Sequence, residues 1–429
     1  MKYDLIVVGG GPGGLMAAKQ AAEDGLKVVL IERKKNITEI TRSCGEVFYI
    51  RKLSASKAGM HGDGYIEPVG VEIQDYKTKF HFPGPGFSLD FTGGVKPYIN
   101  WIEVSPNKTV VYRRKNYIWG FYYDKEAFLE TLLDSAKKAG AEILTGTIGV
   151  AAENTKDGVK VQVRGQSGEQ TLEARKAIAA DGTGSLIVES VGLNKKRKIL
   201  GPPMGMVEYE LEGMEIDLPS CSWIQLCVPS INRLMTIFVG QRAGDRMFMA
   251  TGAEDTLKQL MKYPTFEPWF RNAQVVKRTA VTAGGDGIRT PVKEPVEGNV
   301  FVVGDAGSPI ETWIQGAVAS AYMAVKAIEK ELNGQKGAQD YIDWWQQAFY
   351  FMKPEYWQMV FQMFALANSW QTDDDVDFLY SLIKDKVGVP QIMIAQNLEL
   401  IKEGRPELYK RLKEGYAQAE QMAATTIEG

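Results

Sequence analysis

The chain has 429 residues, 45 % of them hydrophobic, and a formal net charge of −3. That length implies two or three domains with ample core to bury a ligand, and the slight acidic balance offers no basic surface for nucleic acid. Three scattered cysteines (Cys44, Cys221, Cys227) and two histidines (His61, His81) argue against a disulfide framework and against a metal centre.

The first element is a strand over residues 2–8, followed by Gly9-Gly10-Gly11-Pro12-Gly13-Gly14 and an amphipathic helix from Leu15. The spacing Gly9-x-Gly11-x-x-Gly14 meets three needs of a dinucleotide site: a tight turn, close backbone approach to a pyrophosphate, and close packing of helix on strand. The helix then turns its unpaired N–H groups toward the phosphates. A second strand, residues 27–31, ends in Glu32, about 20 residues past the glycines, where a carboxylate can accept hydrogen bonds from a ribose. Arg33 follows it, and Pro12 and Gly13 complete the phosphate loop. Because the chain starts on a strand and has no uncharged apolar run of 18 residues, neither a signal peptide nor a spanning helix is expected. The expected setting is reducing and cytoplasmic.

Arg42-Ser43-Cys44-Gly45-Glu46 is the next distinctive segment. A thiol beside a redox cofactor can donate a proton or hold a substrate, and a carboxylate such as Glu46 can tune it; the plainer reading is a small buried cysteine. Residues 125–140 form an amphipathic helix with a glycine stop, and strands near 141–147, 159–163 and 176–180 complete a sheet. Ala179-Ala180-Asp181-Gly182-Thr183-Gly184-Ser185 follows the last of these strands. Short apolar strands from 205 to 282 predict a mostly antiparallel sheet, and residues 299–307 form another buried strand running into Gly304-Asp305.

The N-terminal glycine fingerprint, the Asp181-Gly182 segment and the late Gly304-Asp305 strand, in that order, resemble FAD-dependent oxidoreductases of the geranylgeranyl reductase and para-hydroxybenzoate hydroxylase superfamily. The resemblance spans residues 4 to 330. It implies an α/β protein, α+β overall: a glutathione-reductase-type Rossmann FAD-binding domain, an antiparallel substrate domain and a helical C-terminal region. The implied bounds are 1–75, 105–200 and 283–333 for the FAD domain, 76–104 and 201–282 for the substrate domain, and 334–429 for the helical region. On this resemblance Asp305 binds the ribityl chain or ribose of FAD, Asp181 and Gly182 touch the pyrophosphate region, and Arg42 serves FAD phosphate binding or nicotinamide approach. Cys44 and Gly45, resembling the Cys-Gly-Glu element of geranylgeranyl reductases, lie near the flavin. A helix of small residues after the aspartate, with Gln315, Gly316 and Ala317, points its N-terminus at the flavin edge where charge gathers on reduction. Trp313 and Gln315 depart from the usual glycine and acid of that loop, and Trp313 is expected on the substrate face, or simply packed.

The lipid-reducing members' aromatic motif is missing from residues 232–252, and its nearest look-alike, Tyr117-Ile118-Trp119-Gly120-Phe121, comes far earlier. The expected activity is therefore hydride transfer from reduced FAD to a carbon–carbon double bond of an apolar or cyclic substrate. The alternatives are an aromatic or quinone monooxygenase using NAD(P)H and O2, or a flavin-fold protein that binds a lipid or partner without chemistry. No separate nicotinamide domain is evident, so NAD(P)H would dock transiently, or a ferredoxin or reduced quinone would supply electrons. The aromatic segment 341–364, broken at Pro354, reads as core packing more readily than as a tunnel wall or a bilayer-resting face.

Overall fold

The computed structural model describes residues 2–50, 69–283 and 285–427; His61 lies outside them. Strand Tyr3–Val8 lies at the centre of a parallel array. It pairs with Val28–Ile31 on one side (Val8 beside Ile31) and with Gly168–Ala179 on the other (Val8 beside Ala179). Glu142–Leu144 and Val300–Val302 extend the array in parallel. Apart from Asp4, the residues of Tyr3–Val8 and Val28–Ile31 are buried, the unbroken apolar pattern of a sheet covered on both faces. The first half of Gly168–Ala179 turns back in antiparallel pairing with Val159–Gly165, which pairs in turn with Ile148–Asn154.

Helix Pro12–Glu23 packs between helices Lys125–Lys138 and Trp313–Leu332. The carboxylate of Asp124 caps Lys125–Lys138 by accepting from Ala127 N (3.0 Å), and the helix buries Phe128, Leu129, Leu132, Leu133 and Ala136.

The second large sheet has seven strands in the order Gln274–Ala283, Met204–Glu212, Met247–Thr251, Ile237–Gln241, Ser222–Leu226, Asn100–Val104, Val110–Arg114. Its pairings are antiparallel except between Ser222–Leu226 and Asn100–Val104. Val110–Arg114 thus pairs with this second sheet, and Gly120–Tyr123 pairs with Val47–Tyr49 and Val95–Tyr98 in a smaller one. A meander of Gly70–Gln74, Lys77–Phe82 and Phe87–Phe91 stands apart.

The C-terminal aromatics face inward. Helix Gly337–Ala348, the turn Tyr350–Met352 and helix Pro354–Ser369 place Tyr341, Trp345, Phe349, Phe351 and Trp357 in the same core as the fingerprint helix. Tyr341 Oη donates to Val302 O (2.8 Å) and Trp345 Nε1 to Val292 O (2.9 Å). A Cβ on Gly307 would stand 2.9 Å from the Trp345 ring and one on Gly316 would stand 3.0 Å from Phe349, so both glycines make room for these rings. Among the described residues no helix is long and apolar enough to cross a membrane.

Candidate cofactor and active site

A cavity of about 570 Å³ opens where the parallel strands end, lined there by Val8, Ile31, Ala180 and Val303, and runs to Met206, Trp223, Phe238 and Phe248 of the second sheet. The ends of parallel strands are where α/β sheets bind nucleotides.

Each fingerprint glycine has a distinct reason to be glycine. Gly9 has φ +107°, and a Cβ there would lie 2.3 Å from Ala180 O. A Cβ on Gly14 would lie 1.7 Å from Gly9 O, so the helix can meet the strand only without one. Gly11 lines the cavity, and a Cβ there would meet no protein atom within 4 Å; its side is the cradle a side chain would fill. Pro12 and Gly13 line the cavity next to it. The carboxylate of Glu32 accepts from Gly10 N (2.6 Å) and Lys34 N (2.8 Å). It therefore braces the glycine loop while lining the cavity beside Arg33.

At the second motif, Asp181 lines the cavity, but its carboxylate accepts from Ser185 Oγ (2.6 Å) and, weakly, from Ile187 N (3.4 Å). Its side chain thus organises the start of helix Leu186–Ser190, and burial pushes its pKa up. Gly182, at φ +79°, leaves room for Arg42, whose Nη1 would stand 3.0 Å from a Cβ there. At the third motif, Gly304 N donates to Ser320 Oγ (3.0 Å), and Asp305 Oδ1 accepts from Thr312 N (2.7 Å) and Thr312 Oγ1 (3.0 Å), fastening this turn to the start of helix Trp313–Leu332. Ala317, Ile314 and Trp313 line the cavity; Gln315 and Gly316 do not. Gln315 is buried and accepts from Tyr49 N (2.9 Å), and Gly316 faces Phe349. Trp313 takes a left-handed backbone (φ +62°) and stands edge-on to Tyr49, ring centroids 4.9 Å apart.

The segment 42–46 lies between the two sheets and is held by two buried residues that no sequence pattern singles out, Glu208 and Arg242. Glu208 Oε2 accepts from Ser43 Oγ and Cys44 N, both at 3.0 Å. Arg242 Nη2 donates to Glu208 Oε1 and to Cys44 O, both at 2.7 Å, and Nη1 donates to Gly45 O (3.3 Å). Its guanidinium lies 4.0 Å from the centroid of Phe248. Gly45 lies flush on Trp223, whose ring would stand 2.8 Å from a Cβ. Glu46, in the left-handed region at φ +52°, lies 3.9 Å from Arg242. Burial raises the pKa of Cys44 and of Glu46; Lys125 opposes the first shift, and Arg242 and Lys125 the second. At neutral pH Cys44 is accordingly a proton-bearing thiol, not a thiolate.

A further acid, Glu311, also lines the cavity. Its residue surface is exposed and faces the open cavity, with protein atoms crowded around its carboxyl. Burial first, then Asp305, push its carboxyl up to about 7 against the pull of Arg42 and Lys125.

Two family descriptions match the chain: FAD dependent oxidoreductase over residues 4–37 and FAD binding domain over residues 117–230. Digeranylgeranylglycerophospholipid reductase 1 of Methanothermobacter thermautotrophicus is 26 % identical over 336 residues, 74 % of each chain. The enzyme of that name from Methanocaldococcus jannaschii is 24 % identical over 373 residues, 81 % of this chain and 83 % of its own. The chain is an FAD-dependent oxidoreductase. Over about three quarters of its length it is similar to the digeranylgeranylglycerophospholipid reductases. Two solved structures share the fold of this oxidoreductase. One is a geranylgeranyl bacteriochlorophyll reductase-like protein from Thermoplasma acidophilum (TM-score 0.65, 19 % identity, 96 % of this chain and 99 % of that one). The other is a p-nitrophenol 4-monooxygenase from Pseudomonas putida (TM-score 0.61, 15 % identity, 95 % and 98 %).

The oxidoreductase's own residues fit FAD. The open side of Gly11 and the start of helix Pro12–Glu23 suit a pyrophosphate. Glu32 and Asp305 set carboxylates at separate points of the cavity wall, Arg42 adds a cation, and the aromatic end of the cavity suits a flat ring system.

Proposed function

We propose that this oxidoreductase reduces a carbon–carbon double bond in an apolar substrate. When bound, FAD supplies the hydride. The chain's part is to hold the cofactor across the strand ends through the glycine loop, Glu32, Asp305 and Arg42. It also presents the substrate against Trp223, Phe238, Phe248, Met206 and Trp313, the aromatic end of the cavity. The observation that carries this reading is the aromatic surface at the cavity wall, with the Cys44 segment clamped beside it, in a chain aligned over about three quarters of its length with reductases. Such a wall accepts an alkene through dispersion and the hydrophobic effect, with few polar groups to fix its orientation.

Electrons come from NAD(P)H docked transiently at the cavity or from a ferredoxin, and the setting is the cytoplasm, with any membrane contact peripheral. The test is anaerobic reduction of the bound flavin followed by mixing with a polyprenyl or cyclic alkene, or with air and a phenol. Fast reoxidation by the alkene with formation of the saturated product supports the reading. Slow reaction with every alkene, together with rapid O2 consumption coupled to phenol hydroxylation, refutes it. Reduction by NADPH compared with a reduced ferredoxin separates the two donors.

A further inference from the structure

Saturating a carbon–carbon double bond takes a hydride and a proton. The π bond breaks, one carbon bonds the hydride, the other bonds the proton, and the acid's O–H bond breaks to leave its conjugate base. We propose that Glu311 is that acid: it takes up a proton from solvent as the cofactor is reduced and releases it to the substrate carbon. This rests on the reductase reading above.

The geometry separates Glu311 from Glu208, Glu32, Asp181, Asp305 and Glu46 on the cavity wall; Glu39, also on it, lies in the field of Lys34 beside the second strand's end. Glu208 is committed to Arg242, Ser43 and Cys44. Glu32 is held by two backbone N–H groups, Asp181 by Ser185, and Asp305 by Thr312. Glu46 is only 8 % exposed and sits beside Arg242. None of the described residues donates a hydrogen bond to the Glu311 carboxyl, which opens into the cavity from the loop between Asp305 and helix Trp313–Leu332. Ile310 on that loop and Trp313 and Ile314 at the start of the helix line the same wall.

The charged groups facing Glu311 are Asp305 on its own loop, Arg42 on the 42–46 segment, and Lys125 at the start of helix Lys125–Lys138. With their fields and burial together its carboxyl titrates at about 7, so near neutral pH it can both gain and lose a proton. Negative charge arriving in the cavity on reduction raises its proton affinity further. Cys44, a much weaker acid after burial, is poorly matched to the same duty.

The test measures the flavin midpoint potential of the FAD-loaded enzyme against pH, without substrate, for the wild type, Glu311→Gln and Glu311→Asp. FAD content by absorbance confirms loading. Each proton taken up per two electrons adds about 30 mV per pH unit to the slope. The wild type should show a segment starting at about pH 7 that is steeper by that amount. Glu311→Gln should lack it, and Glu311→Asp should keep it. In alkene turnover, Glu311→Gln should be slower by about 10²- to 10⁴-fold, with Glu311→Asp partly restoring the rate. A Glu311→Gln titration that overlays the wild type, or wild-type turnover by Glu311→Gln, overturns the proposal. If the wild type reduces no alkene but keeps the steep segment, the reductase reading fails while the proton uptake at Glu311 stands.

Discussion

Replacing Glu208 with alanine leaves Arg242 in a nearly closed site, 3 % exposed, without its 2.7 Å partner. Breaking a buried pair on one side costs about 3–5 kcal/mol, because the remaining charge cannot recover its hydration. Glu46, 3.9 Å from Arg242, offers partial compensation, while the hydrogen bonds from Ser43 Oγ and Cys44 N are lost as well. We therefore expect about 4 kcal/mol. At roughly 2.1 cal/mol/K of unfolding entropy per residue, a 429-residue chain unfolding as a unit loses about 4 °C in Tm. Because Glu208 and Arg242 also fasten the backbone of residues 43–45, Cys44 should become easier to alkylate, read by mass spectrometry at that residue. The double variant Glu208→Leu/Arg242→Met should recover most of the stability, since a well-packed apolar pair can replace a buried ion pair. A Glu208→Ala protein that melts within 1 °C of the wild type and alkylates at Cys44 at the same rate would refute the argument.

Gly11→Ala and Gly14→Ala should fail in different ways. The first adds a Cβ that meets no protein atom and should fold normally yet lose FAD, whereas the second drives a Cβ to 1.7 Å from Gly9 O and should disrupt the domain itself; thermal melts and flavin absorbance separate them. Glu32→Ala and Asp305→Ala should each weaken FAD binding by about 10- to 100-fold, the worth of a charge-assisted hydrogen bond, measured by equilibrium dialysis; unchanged retention in both would overturn the cofactor assignment. Glu311 has a folded pKa raised from the usual 4.5 to about 7, so its folded form binds more protons. Its stabilising contribution is complete below pH 4.5 and is lost as pH rises through 7. The Tm of the wild type relative to Glu311→Gln should thus fall between pH 5 and 8.

The nucleotide site was legible in the sequence wherever backbone geometry dictates the residue. Gly9, Gly11 and Gly14 answer to three different spatial demands, each forced by a strand meeting a helix at a ligand, so spacing alone exposes them. Side-chain direction was less legible. Asp181 follows its strand as expected, yet whether its carboxylate turns to the cofactor or to Ser185 depends on the turn after it, which the pattern does not encode. Gln315, expected in a loop, sits in the first turn of helix Trp313–Leu332 and reaches Tyr49, 266 residues earlier. Glu208 and Arg242 lie 34 residues apart and meet only through the register of the second sheet, and Glu311 is a lone acid in a loop with no periodicity to mark it. The mostly antiparallel sheet over 205–282 was readable from its short apolar runs; the pairing of Val110–Arg114 with that sheet follows from long-range contacts invisible locally.

The inward-facing C-terminal aromatics bear on the order in which the protein is made. Strand Tyr3–Val8 is made well before its parallel neighbour Gly168–Ala179, and Val300–Val302 comes later still. Trp345, Phe349 and Phe351, which close the outer side of the same core, are translated after both. The glycine loop is therefore made long before Gly304, Asp305 and Ala317, which share its cavity wall.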